Sequence, residues 1–598
     1  MKKTRYSVKT VCLLAMCGVA LFANAQDDKK KEQDLNRQMT LEREYDPSVQ
    51  DASKVNTLPQ VKEPEVRKIP IDYSDYTLAM DPAQQISVLP SGNIMTQMDY
   101  NKRRGYLRLG AGTYMNLNGD FGYHALSTAT DQLSIAFSHR SANGNVKYIQ
   151  LPDEKVKAKI NDNLGGLKYA HAFEKASLNV GLNYGYSAYN YYGLSMCSFS
   201  SLPMQDLLNK ADRETNQVNQ TIAATLGVES KEDADLAYLV DLGFVNFSRK
   251  YGISKDTDGP KETTIEAKVN VSKRFNGDMR FGLEALVEYF NYSLPAEKAL
   301  PNGGLYICEF ENHAEVALHP YYEVEGENWK VRLGANVMLK TGDESLFMAT
   351  PNVAANFEVA DKTELYIKAN GKLYSNSMYE MSKINRYLPA EELTPSRNWL
   401  DGVLGIKSGV APGFWFDIFA GYKMTSDDVL FVPSRTFEEG GFGNFSEAMS
   451  GINTKQLFVG ASLKYSYQQL FELTLKGQYN NWKAEYGDEW IGFSDSSLEH
   501  AWGKPEMELN AGVMVRPMDK LAVALDYSLA TGRYTLLAGV DLYKMNNINE
   551  LNLTATYTLN DTFGFYAKVN NLLSQKYELY YGYPMQRLSA QVGVNINF

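Results

Sequence analysis

Residues 588–598 read LSAQVGVNINF, and the order of their side chains decides the fold. Leu588, Ala590, Val592, Val594, Ile596 and Phe598 fall on one face of an extended chain, while Ser589, Gln591, Gly593, Asn595 and Asn597 fall on the other. A strand of a soluble sandwich also alternates, but its apolar face must meet a second sheet. A transmembrane barrel strand instead turns that face to lipid and its polar face to a wet lumen. About ten residues of strand cross the hydrocarbon layer, so this stretch is long enough to be one wall strand.

The pattern recurs upstream. Leu551, Leu553, Ala555, Tyr557 and Leu559 alternate with Asn552, Thr554, Thr556 and Thr558, and Phe281, Leu283, Ala285 and Val287 alternate with Gly282, Glu284 and Glu288. Charged groups on the inner face of so many long strands point to a watery lumen rather than a packed core. Short polar turns separate the strands: Thr128 to Asp131, Glu174-Lys175, Lys231 to Asp235, Asn276 to Asp278, Gly326 to Asn328, Ala360 to Lys362, Ala411 to Gly413, Gln468-Gln469, Pro517 to Asp519 and Asn560-Asp561. Asn, Asp, Gly and Pro supply the backbone geometry that tight hairpins need. The intervening connections are longer and irregular: Ala142 to Lys159, Tyr191 to Arg213, Ser375 to Ser396, Thr425 to Thr454 and Ala484 to Gly503. In barrels of this kind short turns face the periplasm and long loops face outside. The fold expected is all-β, a transmembrane antiparallel β-barrel of about 22 strands with an extended N-terminal segment, both barrel ends being periplasmic.

The first residues carry Lys2, Lys3 and Arg5, an apolar run from Val11 to Phe22, and Ala23-Asn24-Ala25, the layout of a secretory signal peptide spanning 1–25. Residues 26–100 open on a charged run and carry Pro47, Pro59, Pro64, Pro70, Pro82 and Pro90, a composition that cannot bury enough surface to fold alone. Two readings stand: a periplasmic leader, or a strap that lies in the lumen or docks other outer-membrane or periplasmic proteins. Leu41, Tyr45, Val49, Val55 and Leu58 are the candidate docking anchors. Residues 101–598 form the barrel.

Composition agrees with a strand-built membrane protein. Forty Tyr and 26 Phe are unusually many for a soluble chain, while a mean hydropathy of -0.36 is too polar for a helical membrane bundle. A net charge of -11 argues against nucleic acid as a partner, since phosphate binding needs a basic surface, and the strand alternation makes outer-membrane lipid the expected surroundings of the wall. Cys197 and Cys308 are the cysteines beyond the signal peptide. Both fall on the outer, oxidising side in this strand order and form a candidate disulfide. The six histidines are scattered and lack metal-ligand spacing. With no nucleophile elbow and no phosphate-cradling glycine loop, the residues suggest no catalytic, cofactor or metal site, and the chain does not read as an enzyme.

Two aromatic groups stand out. Tyr184, Tyr186, Tyr189, Tyr191 and Tyr192 climb into one outer loop, and Tyr577, Tyr580, Tyr581 and Tyr583 fill the last one. Bilayer-edge girdles account for such rings without a ligand, whereas rings continuing beyond the boundary are candidate outer-loop contacts for a glycan or a partner loop.

The stretch from Tyr566 to Phe598 resembles the closing strands of TonB-dependent receptors in its Asn570-Asn571-Leu572 group, Tyr577, Gly582, Pro584, Arg587 and the terminal Phe598, an aromatic C-terminal barrel signal. The resemblance covers the chain from roughly Arg103 onward. It implies the outer membrane of a Gram-negative-type bacterium and the same strand number. Actively transporting members of that family carry a folded plug of about 130 to 150 residues, the size of an ordinary domain, and residues 26–100 leave room for about half of that. The expectation is a plugless, receptor-like barrel acting as a passive or gated conduit for small solutes. The alternatives are a docking subunit of an assembly, export or uptake complex, and a transporter plugged by another chain.

Overall fold

The computed structural model describes residues 103–598 apart from 195–212, 232–235, 276–277, 300–304, 344, 410, 435–443, 487–499 and 538–540. The anchors Leu41, Tyr45, Val49, Val55 and Leu58, and Cys197 with its pairing, lie outside the described residues. Cys308, in the connection before His313, is buried and has no disulfide partner among the described residues.

The wall strands are β1 (Gly105–Gly112), β2 (Leu117–Ser127), β3 (Asp131–Lys147), β4 (Lys155–Ala172), β5 (Ala176–Tyr189), β6 (Gln217–Ser230), β7 (Leu236–Arg249), β8 (Lys261–Phe275), β9 (Met279–Ser293), β10 (His313–Glu325) and β11 (Trp329–Lys340). They continue as β12 (Leu346–Ala360), β13 (Thr363–Tyr374), β14 (Ser396–Ser408), β15 (Phe414–Pro433), β16 (Ser446–Tyr467), β17 (Phe471–Glu485), β18 (Met507–Met518), β19 (Leu521–Thr531), β20 (Ile548–Thr558), β21 (Phe563–Asn570) and β22 (Ser589–Asn597). Each pairs antiparallel with its sequence neighbours, and β1 pairs with β22, which closes a 22-stranded sheet. Closure leaves no wall strand with an unpaired edge, as a chain in lipid requires. The barrel wall is therefore the one the alternation implies.

The seam shows how the terminal residue works. Gly105 N–H donates to the Phe598 carbonyl at 2.8 Å and Phe598 N–H returns a bond to the Gly105 carbonyl at 2.9 Å. The Phe598 ring stacks with Phe121 and Tyr123 at centroid distances of 6.4 and 6.1 Å, so its apolar body covers the join between first and last strands. Any side chain at Gly105 would run into that ring, 2.7 Å from the position of its Cβ.

The two faces separate as expected. Phe281, Leu283, Tyr479, Phe565 and Val592 stand exposed on the outside. Inside, polar groups meet across strands: Arg108 Nε donates to Asn595 Oδ1 at 2.9 Å, Ser138 Oγ to Asp120 at 2.9 Å, and Arg332 to Glu284 at 2.9 Å. One end of the barrel carries both wall termini and short turns. There the Asn560 side chain accepts from the Thr562 and Phe563 amides at 2.9 and 2.8 Å, and Thr128 Oγ1 accepts from Asp131 N–H at 2.8 Å. These side-chain bonds hold each turn without help from a longer loop.

The opposite end carries the long connections, two of them shorter than the sequence suggests. Ala142 to Lys159 is mostly β3 and β4, paired as far as Lys147 and Lys155. Thr425 to Thr454 is mostly β15 and β16, paired as far as Pro433 and Ser446. These hairpins rise beyond the apolar band, where neither face needs lipid-facing side chains, so the alternation that marks a strand disappears while the ladder continues.

Candidate functional site

At the loop end, connections from opposite sectors of the ring meet over the mouth. With strands ~4.8 Å apart and tilted by ~40°, a wall of this strand number is about 40 Å across. The connection after β13 spans the mouth: it carries a short helix, α1 (Met378–Ile384), followed by Asn385, Arg386, Tyr387 and Leu388. Ser377 caps α1 by accepting from Glu380 N–H at 3.3 Å, and the buried Glu262 of β8 accepts from Tyr379 N–H at 3.0 Å. Helix and wall are thus tied by a carboxylate at the helix start, where unpaired amides and the helix dipole favour negative charge.

Beyond α1 the connection reaches further partners. Arg386 forms a forked pair with Asp162 of β4, with N···O distances of 3.0 and 3.1 Å, and its guanidinium lies 5.5 Å from the Tyr189 ring centroid. The Leu388 carbonyl accepts from Arg249 of β7 at 2.9 Å, and the Tyr387 carbonyl accepts from Ser446 N–H at 3.0 Å. Tyr580 of the last loop donates its hydroxyl to the Ile384 carbonyl at 2.7 Å.

An aromatic cluster fills the centre. Tyr387 stacks on Tyr583 at 3.8 Å between centroids, Tyr192 meets Tyr583 edge-on at 5.1 Å and Tyr387 at 5.7 Å, and Tyr191 packs against Phe445 at 4.7 Å. Tyr148 donates to the Tyr192 carbonyl at 2.7 Å, and Tyr583 donates to the Asn444 carbonyl. Offset and edge-on ring pairs each add about 0.5–1.5 kcal/mol beyond burial, and each hydroxyl keeps a partner. Burial pushes the Tyr191, Tyr192, Tyr387 and Tyr583 hydroxyls above the usual tyrosine range, so they stay neutral. Burial pulls the Arg386 guanidinium down, but the Asp162 carboxylate and its bonds more than offset this and hold it above its ordinary value.

The tyrosines singled out in the sequence therefore divide. Tyr184 is exposed on the outer wall, and Tyr186 shares its face by alternation. Tyr189, Tyr191 and Tyr192 turn inward and are buried beside Tyr583. Tyr577 is buried against Ala530 and Ile548 with its hydroxyl on Glu550, and Tyr581 meets the Tyr543 ring edge-on at 5.3 Å. Sequence reasoning missed Arg386, Tyr387, Asp162 and Arg249. The one hint was an Arg-Tyr pair inside a long connection, and nothing in it pointed to Asp162 on a distant strand.

The last loop is held from within. Gly582 adopts φ +80, and a Cβ there would lie 2.5 Å from the Leu194 carbonyl oxygen, so glycine is needed for both conformation and space. Glu578 accepts from Gln150 at 3.2 Å and from Gly582 N–H at 3.1 Å, while its second carboxylate oxygen is buried and has no hydrogen-bond partner among the described residues. Burial pushes its carboxyl up to about 7 despite those bonds and the nearby Arg533. Beneath this roof lies a cavity of about 1190 Å³, lined by Tyr192, Tyr387 and Tyr583 of the roof and by wall side chains of β3, β4, β13 to β18 and β20 to β22.

No known family profile matches the chain, and no curated protein matches its sequence. Solved structures do match in shape. The FrpB iron transporter from Neisseria meningitidis is 10% identical with a TM-score of 0.62, over 83% of this chain and 82% of that one. The copper transporter OprC is 12% identical with a TM-score of 0.59, over 83% and 80%. The pyoverdine outer membrane receptor FpvA from Pseudomonas aeruginosa PAO1 is 12% identical with a TM-score of 0.59, over 83% and 78%. At such identities the likeness shows the fold, which is the 22-stranded barrel of TonB-dependent receptors.

Proposed function

We propose that this chain is an outer-membrane conduit for small solutes, gated at its loop end by the roof rather than by a folded plug. The observation that supports it is the bridging of the mouth by connections from opposite sectors, centred on the Tyr387–Tyr583 stack. An unobstructed barrel of this width would breach a permeability barrier, so some closure is required. The roof's polar bonds and third-exposed ion pair are of a kind that can open without unfolding the wall. Short turns at the wall termini and long loops opposite support a periplasmic position for both barrel ends and an outward-facing roof.

The test is swelling of proteoliposomes in neutral sugars. The intact chain is expected to admit them slowly, and a variant with residues 377–393 replaced by a short Gly-Ser linker to admit them quickly. Equal rates for the two, with both barrels shown to be folded by heat-modifiable gel migration, would overturn the roof as the closure.

A further inference from the structure

The outer face of the β3–β4 hairpin turns polar where its apolar residues end. Phe137 of β3, opposite Gly165 of β4, is exposed on that face. The next two outward pairs towards the loop are His139 opposite Asn163 and Ser141 opposite Asn161. Strand alternation turns all of these side chains outward, since their neighbours Ser138 and Asp162 bond Asp120 and Arg386 on the inner side.

These polar side chains form one directed run of hydrogen bonds. Asn163 Nδ2 donates to Asn161 Oδ1 at 2.9 Å, which leaves Asn163 Oδ1 to accept from His139 Nδ1 at 2.8 Å. Nδ1 therefore carries the proton, and Nε2 faces the Ser141 hydroxyl at 3.1 Å as its acceptor. A hydroxyl, an imidazole placed to take its proton, and a third group that fixes the imidazole's tautomer make up the constellation of a serine hydrolase, which is recognised by geometry and not by sequence order. Ser141 and His139 are half-buried and can be reached from outside. Asn161 lies directly opposite Ser141, and Asn143 follows Ser141 on the same face, so both amides are within side-chain reach of an oxyanion formed on that serine. No local motif marks the group, because the histidine and serine stand on one strand and the asparagine on the next.

An apolar groove adjoins the histidine. Gly119 of β2 pairs with His139 and puts no side chain beside the ring; a Cβ there would meet nothing closer than 3.5 Å. The space belongs to a groove of about 1020 Å³ on the outer wall, whose lining includes Leu109, Leu117, Gly119, Phe137, His139 and Val592. Leu109, Leu117, Phe137 and Val592 are exposed on the wall, so the groove faces the hydrocarbon layer with His139 at its edge.

One substrate fits both parts: an ester whose chain lies among the lipid tails and whose carbonyl lies at the membrane surface. We propose that Ser141, His139 and Asn163 hydrolyse an acyl ester of a membrane lipid. Ser141 Oγ adds to the ester carbonyl carbon as its proton passes to His139 Nε2. The tetrahedral oxyanion then collapses, breaking the carbon–oxygen bond to the lipid alcohol, which leaves with that proton. Water attacks the acyl-serine, His139 accepts the water's proton, and collapse releases the fatty acid while His139 returns the proton to Ser141 Oγ. Asn163 is a positioning residue that holds the tautomer. The site is on the outside of the wall, so it stands or falls independently of the conduit.

The experiment incubates the full chain in detergent with dipalmitoyl-phosphatidylethanolamine in mixed micelles and reads palmitate release, alongside labelling by a hexadecyl fluorophosphonate mapped by peptide mass. Palmitate release and a label on Ser141 are expected. Ser141→Ala and His139→Ala are each expected to lower release by about 100-fold or more in barrels that keep heat-modifiable gel migration. Asn163→Ala is expected to lower kcat by about tenfold or more with KM unchanged, and Asn163→Asp, which still accepts from Nδ1, to retain kcat. The decanoate ester of p-nitrophenol is expected to exceed the acetate by about tenfold or more in kcat/KM, because each methylene buried in the groove favours the longer chain. No palmitate release by the folded parent, undiminished release in Ser141→Ala, a label on another residue, equal loss in the two Asn163 variants, or equal kcat/KM for the two esters would each overturn the proposal and leave the group as a structural hydrogen-bonded ladder.

Discussion

Replacing Arg386 by Ala tests whether the roof is a latch. The guanidinium gives Asp162 two parallel bonds, 3.0 and 3.1 Å long, and lies 5.5 Å from the Tyr189 ring centroid. Both side chains of the ion pair are about a third exposed, 33% and 34%, so solvent screening limits the fork to ~1.5 kcal/mol. The ring contact adds about 0.5 kcal/mol at such exposure. Together, ~2 kcal/mol favours the closed arrangement, and its loss shifts the open-to-closed ratio about 30-fold. Single-channel recording in planar bilayers reads that ratio as open probability. Arg386→Lys, which keeps the charge but loses the fork, is expected to fall between parent and Ala variant. Since ions at 1 M shorten the Debye length to ~3 Å, high salt is expected to narrow the gap between them. An Arg386→Ala open probability within threefold of the parent, in a barrel that still migrates as folded, would refute the latch.

Other perturbations reach the same roof from different sides. The Glu578 carboxyl is pushed up from an ordinary 4.5 to about 7 by docking of the last loop, so the stabilisation is full below the ordinary value and is lost as pH rises through about 7. Open probability is therefore expected to rise from pH 5 to pH 8 in the parent and to stay flat in Glu578→Gln; a rise on acidification would contradict the assignment. Asp428 is buried and accepts from Lys504, from Thr454 Oγ1 and from Val429 N–H at 2.9 Å. Asp428→Ala strands a cation and is expected to cost about 3–5 kcal/mol, read as a lower melting temperature of the loop end by near-ultraviolet circular dichroism. Tyr583→Ala removes the ring stacked on Tyr387 and is expected to cost about 3–5 kcal/mol of roof stability, read as faster cleavage of the loops by added protease with the wall intact.

The wall was legible because its physics is periodic. Lipid on one side and water on the other force every spanning strand to alternate, so segments such as Phe281 to Glu288 and Leu588 to Phe598 carry the same signal and add up to a count. Turn chemistry then fixed the phase: Asn560, which caps its own turn through two backbone amides, occupies the place its side chain predicts. The signal stops where lipid stops. Asp428 pairs with Ile452 and Leu430 with Met449 in one antiparallel ladder, but their neighbours need not alternate there, and the stretch reads as loop.

The roof was illegible for a further reason, which also bears on what it can do. Its central contacts join positions far apart in the chain: Arg386 to Asp162, Tyr387 to Tyr583, Tyr580 to Ile384. No local pattern encodes such a pairing, because each partner meets the other only after the wall has closed and set their sectors face to face. Tyr192 and Tyr583 looked like members of two separate aromatic groups for that reason, yet their rings meet edge-on and both pack against Tyr387 of a third loop. A wall that every strand specifies, topped by a cluster that only closure assembles, separates stability from opening. The wall's ladder bonds hold in lipid whatever the loops do, since its backbone groups have no other partners there. The roof rests on a few side-chain contacts, among them the ~2 kcal/mol Arg386 latch, which is the scale on which a modest ligand or pH change moves a population. A change that opens the mouth therefore need not touch the wall, and one that weakens the wall should not act through Arg386 at all.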